Sequence, residues 1–185
     1  MSVPETLTET RRNGLQVAVV VGNPKPQSRT LSAACHVARE LTGADAGLVV
    51  DLAGLGTALL DRNDHQVDEL VDQIGTADLV VVASPTYKAS ITGLLKLFLD
   101  RFPSGGLTGI AVPLMLGAGP THALAPEYTL RPVLTELGAL TPVPGLYVRD
   151  ADHADADAYE PWLATARPIV HALLRHHHDL TGAHA

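Results

Sequence analysis

Between Val17 and Thr30 an apolar run of strand length, VAVVV, empties into small polar residues, GNPKPQSRT, that open a helical pattern. Such a junction holds an anion without a metal. Exposed N–H groups at a helix start and the positive end of the helix dipole attract negative charge, and hydroxyls and a guanidinium beside them complete the cradle. Ser28, Arg29, Thr30 and Ser32 are the groups of that kind. The stretch matches neither GxxxxGK(S/T) nor GxGxxG, so the hydrolytic nucleotide loop and the dinucleotide fingerprint both lose support. A phosphomonoester such as that of FMN suits it better. The same residues would also serve an ordinary strand-to-helix turn in which Ser28 or Thr30 caps the helix.

Two further loops carry unusual chemistry. In SPTYKASITG, Ser84 to Gly93, Pro85 presets a turn from which Tyr87 and Lys88 project, a ring and a cation able to reach a flat, electron-rich ligand. A flavin ring fits, and Lys88 could stabilise the negative charge that develops near its N1 and C2 carbonyl on reduction. A core-edge aromatic beside a solvated charge is the plainer alternative. In GAGPTHALAPEY, Gly117 to Tyr128, the glycines Gly117 and Gly119 let backbone N–H groups approach a ring edge, and His122 follows within reach of a ligand.

The elements that must position these loops alternate strictly. Apolar runs of strand length occur at Gln16–Val21, Gly47–Leu52, Asp78–Ala83, Gly109–Leu116 and Val143–Val148. Helical patterns lie at Arg29–Leu41, Gln66–Gly75, Ile91–Phe102, Pro126–Leu137 and Asp155–His178, the first with Leu31, Ala34, Cys35, Ala38 and Leu41 on one face. Continuous apolar strands each followed by a helix predict an α/β fold, a doubly wound five-stranded parallel sheet covered on both faces, with strand order 2-1-3-4-5. Ligands in such sheets bind outside the carboxyl ends of the strands where strands 1 and 3 diverge. The three loops follow strands 1, 3 and 4. Their coincidence with that place carries more weight than any one motif.

Composition bounds the rest. The chain has 185 residues, 46% of them hydrophobic, enough for one well-buried core. The expected organisation is a flexible N-terminal segment 1–13, a single domain 14–178 and a flexible tail 179–185. A net charge of -7 and a pI near 5.6 disfavour nucleic acid and anionic membrane as partners. No apolar stretch approaches the roughly 18 residues a membrane helix needs, and the N-terminal segment lacks an apolar secretory core, so a cytoplasmic protein is expected. Cys35 is the sole cysteine and reads as a packing residue, and Trp162 as an anchor for the last helix. His176, His177 and His178 are adjacent on a helix and point apart, which suits a solvated tail better than a metal. Asp150, Asp152, Asp155 and Asp157 with His153 read as a solvated loop, and no metal site is expected. The apolar helix Ile91–Phe102 and the helix around Tyr128 carry more apolar surface than a lone small domain covers, so a homo-oligomer, a tetramer, is expected.

GNPKPQSRT, ASPTYKASITGLLKLFLDRF and GAGPTHALAPEYTLRPVL together resemble the NADPH-dependent FMN reductases of flavodoxin-like fold, in register from about Val17 to Val148. The closest likeness is to the flavin reductase components of two-component alkanesulfonate monooxygenases. The resemblance implies that Ser28, Arg29 and Thr30 hold the FMN phosphate, and that Pro85, Thr86, Tyr87, Lys88, Gly117, Ala118 and Gly119 frame the ring. Asn23 stands where the family commonly has serine and can still donate hydrogen bonds. In that subgroup a tyrosine inserted into a helix gives a π-helix at the subunit interface, and Tyr128 falls on that position. Pro132 also matches, and a proline four residues on favours a local irregularity on physical grounds as well. The activity implied is hydride transfer from NADPH or NADH to FMN, with the reduced flavin handed to a flavin-dependent monooxygenase. A quinone, azo-dye or metal-ion reductase that retains FMN, and a non-enzymatic FMN electron carrier, are the alternatives.

Overall fold

The computed structural model describes residues 14–182, with side chains through His176. Strands β1 (Val17–Val21), β2 (Leu48–Asp51), β3 (Leu79–Pro85), β4 (Ile110–Gly117) and β5 (Leu146–Arg149) form one parallel sheet in the order β2-β1-β3-β4-β5. That is the order read from the sequence. Around it lie α1 (Arg29–Thr42), α2 (His65–Gly75), α3 (Gly93–Leu99), α4 (Arg131–Glu136) and α5 (Glu160–Gly182).

Every residue of β1, β3 and β4 is buried, which is why these strands read as unbroken apolar runs. Val17, Val19, Val21, Leu79, Val81 and Ala83 point to the layer built by α1 and α5. Ala18, Val20, Val80 and Val82 point the other way, onto α2, α3 and α4. Val81 is paired with Val19 on one side and Val112 on the other. At about 1.5–3 kcal/mol for each fully buried aliphatic side chain, this two-sided burial dominates the stability of the sheet and fixes its register. The α1–α5 layer is tied together by Arg167 of α5, which donates to the Glu40 carboxylate of α1 and to Glu160.

Element boundaries differ from the sequence reading where prolines and caps intervene. β5 begins at Leu146 and not at Val143, because Pro142 and Pro144 have no N–H to give to a ladder. α3 is trimmed to Gly93–Leu99 by Thr92, whose hydroxyl accepts from Leu95 N and so caps it. α5 begins at Glu160 and not at Asp155, since the Asp155 carboxylate accepts from Asp157 N and holds a short 3₁₀ turn before it. It then runs to Gly182, past the expected end at His178 and into the segment expected as a tail. Residues 1–13 and 183–185 lie outside the described residues. Pro126–Leu137, expected as one helix, is a π-helical turn over Pro126–Leu130 followed by α4.

Cys35 is half-buried against the α1–α5 core, and burial first, then the charge of Asp45, pushes its thiol up, so it is poorly suited to act as a nucleophile. Trp162 Nε1 donates to the carbonyl of Pro144 and packs on the same core. Asp152 pairs with Arg149, and Asp155 and Asp157 are exposed. Among the described residues no group of three His, Cys, Asp or Glu side chains comes together to hold a metal. His176 is exposed, and the side chains of His177 and His178 lie outside the described residues. No helix among the described residues is long and apolar enough to cross a membrane.

Candidate functional site

The loops after β1, β3 and β4 meet at the carboxyl edge of the sheet, each held by its own hydrogen bonds. In the first, Asn23 Nδ2 donates to Thr30 Oγ1 (3.0 Å), Asn23 Oδ1 accepts from Lys25 N (2.9 Å), and Gln27 N donates to Asp51 Oδ2 (2.9 Å). Ser28 is the N-cap of α1, its hydroxyl accepting from Leu31 N (3.3 Å). The side chains of Asn23, Ser28 and Thr30 thereby hold the loop in shape, and the Ser28 and Thr30 hydroxyls, acceptors in these bonds, each keep an O–H to donate. Ser28 and Thr30 are buried, and Ser32 is exposed on the first turn. Arg29 is exposed and has no ion-pair partner among the described residues. Its own N–H and that of Thr30 are among the orphan donors of a helix start. An anion set against this turn would meet free N–H groups, the positive end of a 14-residue helix and one uncommitted guanidinium.

The second loop is a tight reversal. Tyr87 N donates to Ser90 O (2.9 Å) and Ser90 N to Tyr87 O (3.1 Å), closing a two-residue turn on Lys88 and Ala89. Both have positive φ, 52° and 64°, the conformation for which Asn-Gly is the usual sequence. Holding two L-residues there costs about 1 kcal/mol or more for each, strain of the kind retained at sites where a side chain must be aimed. The turn presents the Tyr87 ring and Lys88 to solvent. Pro85 ends β3 fully buried, and Thr86 N donates to Leu116 O (2.6 Å). Thr86 Oγ1 is buried and without a hydrogen-bond partner, which leaves a polar atom at the mouth of the site for a bound group to satisfy.

In the third loop one glycine has a packing duty as well. A Cβ on Gly117 would lie 2.2 Å from the Tyr147 hydroxyl, so the missing side chain makes room for that tyrosine. Tyr147 in turn donates to Gly119 O (2.6 Å), and its phenol is pushed up by burial and by Asp150. Gly119 has open space where its Cβ would be, Ala118 is exposed, and His122 lies exposed at the end of a 3₁₀ turn. Tyr147 was not singled out in the sequence. Its signal there, an aromatic in an edge strand opposite a glycine loop, becomes visible only once β4 and β5 are paired.

The π-helical turn closes the site. Arg131 N donates to Pro126 O, five residues back, while Thr129 Oγ1 takes the Ala125 carbonyl and Pro132 has no N–H for Tyr128 O. Glu127 pins the turn to the segment before β5: one oxygen accepts from Gly145 N, the other from Arg131 Nη1 (2.9 Å). Burial would raise the Glu127 carboxyl, but those two donors and the Arg131 charge outweigh it and hold the group below the usual carboxylate range. Tyr128 is 75% exposed, beside an open cleft of about 450 Å³ lined by Ala89, His122, Leu124, Tyr128 and Thr129.

One contact sets how closely the first two loops meet. A Cβ on Gly22 would fall 2.3 Å from Leu95 Cβ, so α3 lies directly on the backbone that leaves β1. Replacing Gly22 with alanine is expected to lower stability by about 1–3 kcal/mol through overpacking, read from the midpoint of urea unfolding. An unchanged midpoint would show that α3 moves away freely.

Taken together these groups fit a planar ligand bearing a phosphate. The phosphate would meet the first turn of α1 and Arg29, and the ring would lie among Pro85, Thr86, Tyr87, Lys88 and the Gly117–Gly119 backbone. Comparison with known proteins agrees in kind. A sequence model described as NADPH-dependent FMN reductase matches residues 15–154. The chain is 30% identical over 146 residues to the FMN reductase (NADPH) of Escherichia coli, covering 76% of each. It is 32% identical over 151 residues to the NADH-dependent FMN reductase SfnF of Pseudomonas fluorescens, covering 76% of this chain and 80% of the relative. The apo crystal structure of an NADH:FMN oxidoreductase (EMOB) superposes with a TM-score of 0.75 at 30% identity, over 86% of this chain and 88% of that one.

Proposed function

The chain belongs to the NADPH-dependent FMN reductase family, and on that premise we propose how its loops serve the reaction and where the product goes. It is an oxidoreductase of flavodoxin-like fold that reduces FMN with NADPH or NADH. Bound FMN supplies the redox chemistry by accepting hydride from the nicotinamide. Arg29, the α1 N-terminus and the Ser28 and Thr30 hydroxyls hold the phosphate, and Asn23 keeps that turn in shape. Thr86 gives its buried hydroxyl to the ring, Tyr87 covers a face, and Lys88 supplies positive charge where electron density rises. Pro85, Gly117, Ala118 and Gly119 set the ring's edge. His122 borders the cleft in which the nicotinamide approaches. No side chain need act as acid or base, because positioning and electrostatics suffice for hydride transfer.

The reduced flavin then leaves for a flavin-dependent monooxygenase. The single observation behind this is the π-helical turn at Tyr128, an irregularity that costs stability yet is built in beside the cleft. The same surface, with Leu124 and Tyr128 exposed, supports a homotetramer with Tyr128 at an interface. Turnover with FMN, FAD and a quinone under both pyridine nucleotides tests the reading. FMN should be the preferred acceptor and should dissociate on dialysis. Retained flavin with faster quinone or azo-dye reduction would overturn it. Light scattering at micromolar concentration is expected to report several subunits, and a fully active monomer would remove the interface role of Tyr128.

A further inference from the structure

Thr92 lies at the start of α3, is 3% exposed, and touches both loops that the FMN reading assigns to opposite ends of the ligand. Its hydroxyl donates to Gly22 O (2.6 Å), in the loop after β1, and accepts from Leu95 N (3.1 Å). Its backbone N–H donates to Ser84 Oγ (3.1 Å), and the fully buried Ser84 hydroxyl donates onward to Pro85 O (2.8 Å), where the loop after β3 begins. A chain of buried hydrogen bonds thus runs from Gly22 through Thr92 and Ser84 to Pro85. Buried bonds of this kind hold their members at fixed separation, because leaving any of them unmade costs the full desolvation of the group.

Capping alone does not explain the residue. Aspartate or asparagine caps a helix at least as well as threonine, and neither is a single atom that both accepts from Leu95 N and donates to a carbonyl. Only a hydroxyl does both. We propose that Thr92 is a positioning residue that fixes the spacing between the phosphate loop and the ring loop, and so sets how strongly the protein prefers FMN over flavin without a phosphate. The inference rests on the assignment of those two loops to the two ends of FMN.

The reasoning is one of preorganisation. Riboflavin needs only the ring loop, whereas FMN must satisfy both loops at once. With the spacing fixed, the phosphate contact forms without further ordering of the chain; with the spacing loose, FMN must order it on binding.

The test is fluorescence titration of the full-length protein with FMN and with riboflavin, comparing the parent with Thr92→Val, Thr92→Ser and Ser84→Ala. The ratio of the two affinities should fall by about fivefold or more in Thr92→Val and in Ser84→Ala, the size expected for one net hydrogen bond. Riboflavin binding should stay within about twofold of the parent, since the ring loop keeps its own turn. Thr92→Ser should restore the ratio. A residue that only caps α3 would lower the unfolding midpoint and leave the ratio at the parental value, which would overturn the proposal. Equal loss for both ligands would overturn it too. Should Thr92→Val fail to fold, Ser84→Ala decides the matter, because it cuts the same chain without touching the cap. A parental ratio near one would instead refute the assignment of the first loop to the phosphate, which is a different result from a parental preference that survives both variants.

Discussion

Deleting Tyr128, or replacing it with alanine, is expected to yield protein that purifies yellow with FMN bound. NADPH should still reduce that flavin once, while turnover with free FMN falls by at least about tenfold, the mark of a defect in release and not in chemistry. The side chain is three-quarters exposed, so its loss takes little from the core of the chain. What it occupies is the π-helical turn Pro126–Leu130, in which Arg131 N reaches back to Pro126 O. That turn is maintained against the regular alternative by Pro132, by Thr129 on the Ala125 carbonyl and by the Glu127 bond to Gly145 N. A feature so held, at the rim of the cleft, is where the site can stay open to exchange. Deletion removes the extra residue and lets the helix close. Flavin absorbance of the purified protein, with single-turnover and steady-state assays side by side, decides it. A colourless variant with parental turnover would reduce Tyr128 to a surface residue.

Replacing Arg29 with alanine is expected to weaken FMN at least tenfold and riboflavin far less. The guanidinium sits on the first turn of α1, exposed and without an ion-pair partner among the described residues, and it is the one cation at that turn. Loss of a charge-assisted contact costs about 1.5–3 kcal/mol, or roughly a factor of 10 to 100 in affinity. The neighbouring Ser28 and Thr30 hydroxyls are uncharged and so cannot replace the attraction of the guanidinium for the phosphate. Fluorescence titration of both ligands checks this. Equal losses would show that Arg29 does not read the phosphate.

Much of this was legible in the linear chain. The apolar runs of β1, β3 and β4 report burial on both faces, and strands alternating with helices leave few arrangements of a parallel sheet. The topology then places the three chemistry-bearing loops at one edge. Pro132 and the GAGPTHALAPEYTLRPVL motif pointed to an irregular helix at Tyr128, and the π-helical turn is there.

The duties of individual side chains were a different matter. Ser28, Thr30 and Asn23 carry the right atoms for an anion, and in the folded loop they also bond one another and cap a helix, a second duty that the linear chain does not show. Gly117 reads as a place where backbone approaches a ligand, and nothing in the linear chain shows that the side a Cβ would take is filled by Tyr147. Thr92, whose hydroxyl joins two loops 70 positions apart, gives no signal beyond a helix cap, and Glu127 reaches Gly145 across 18. Local sequence determines which face of a strand or helix is buried, because the backbone repeat is short and regular. It does not determine which polar group meets which, because a hydrogen bond depends on a few tenths of an ångström between elements whose approach is set by packing of the whole core, down to the missing Cβ of Gly22 against Leu95.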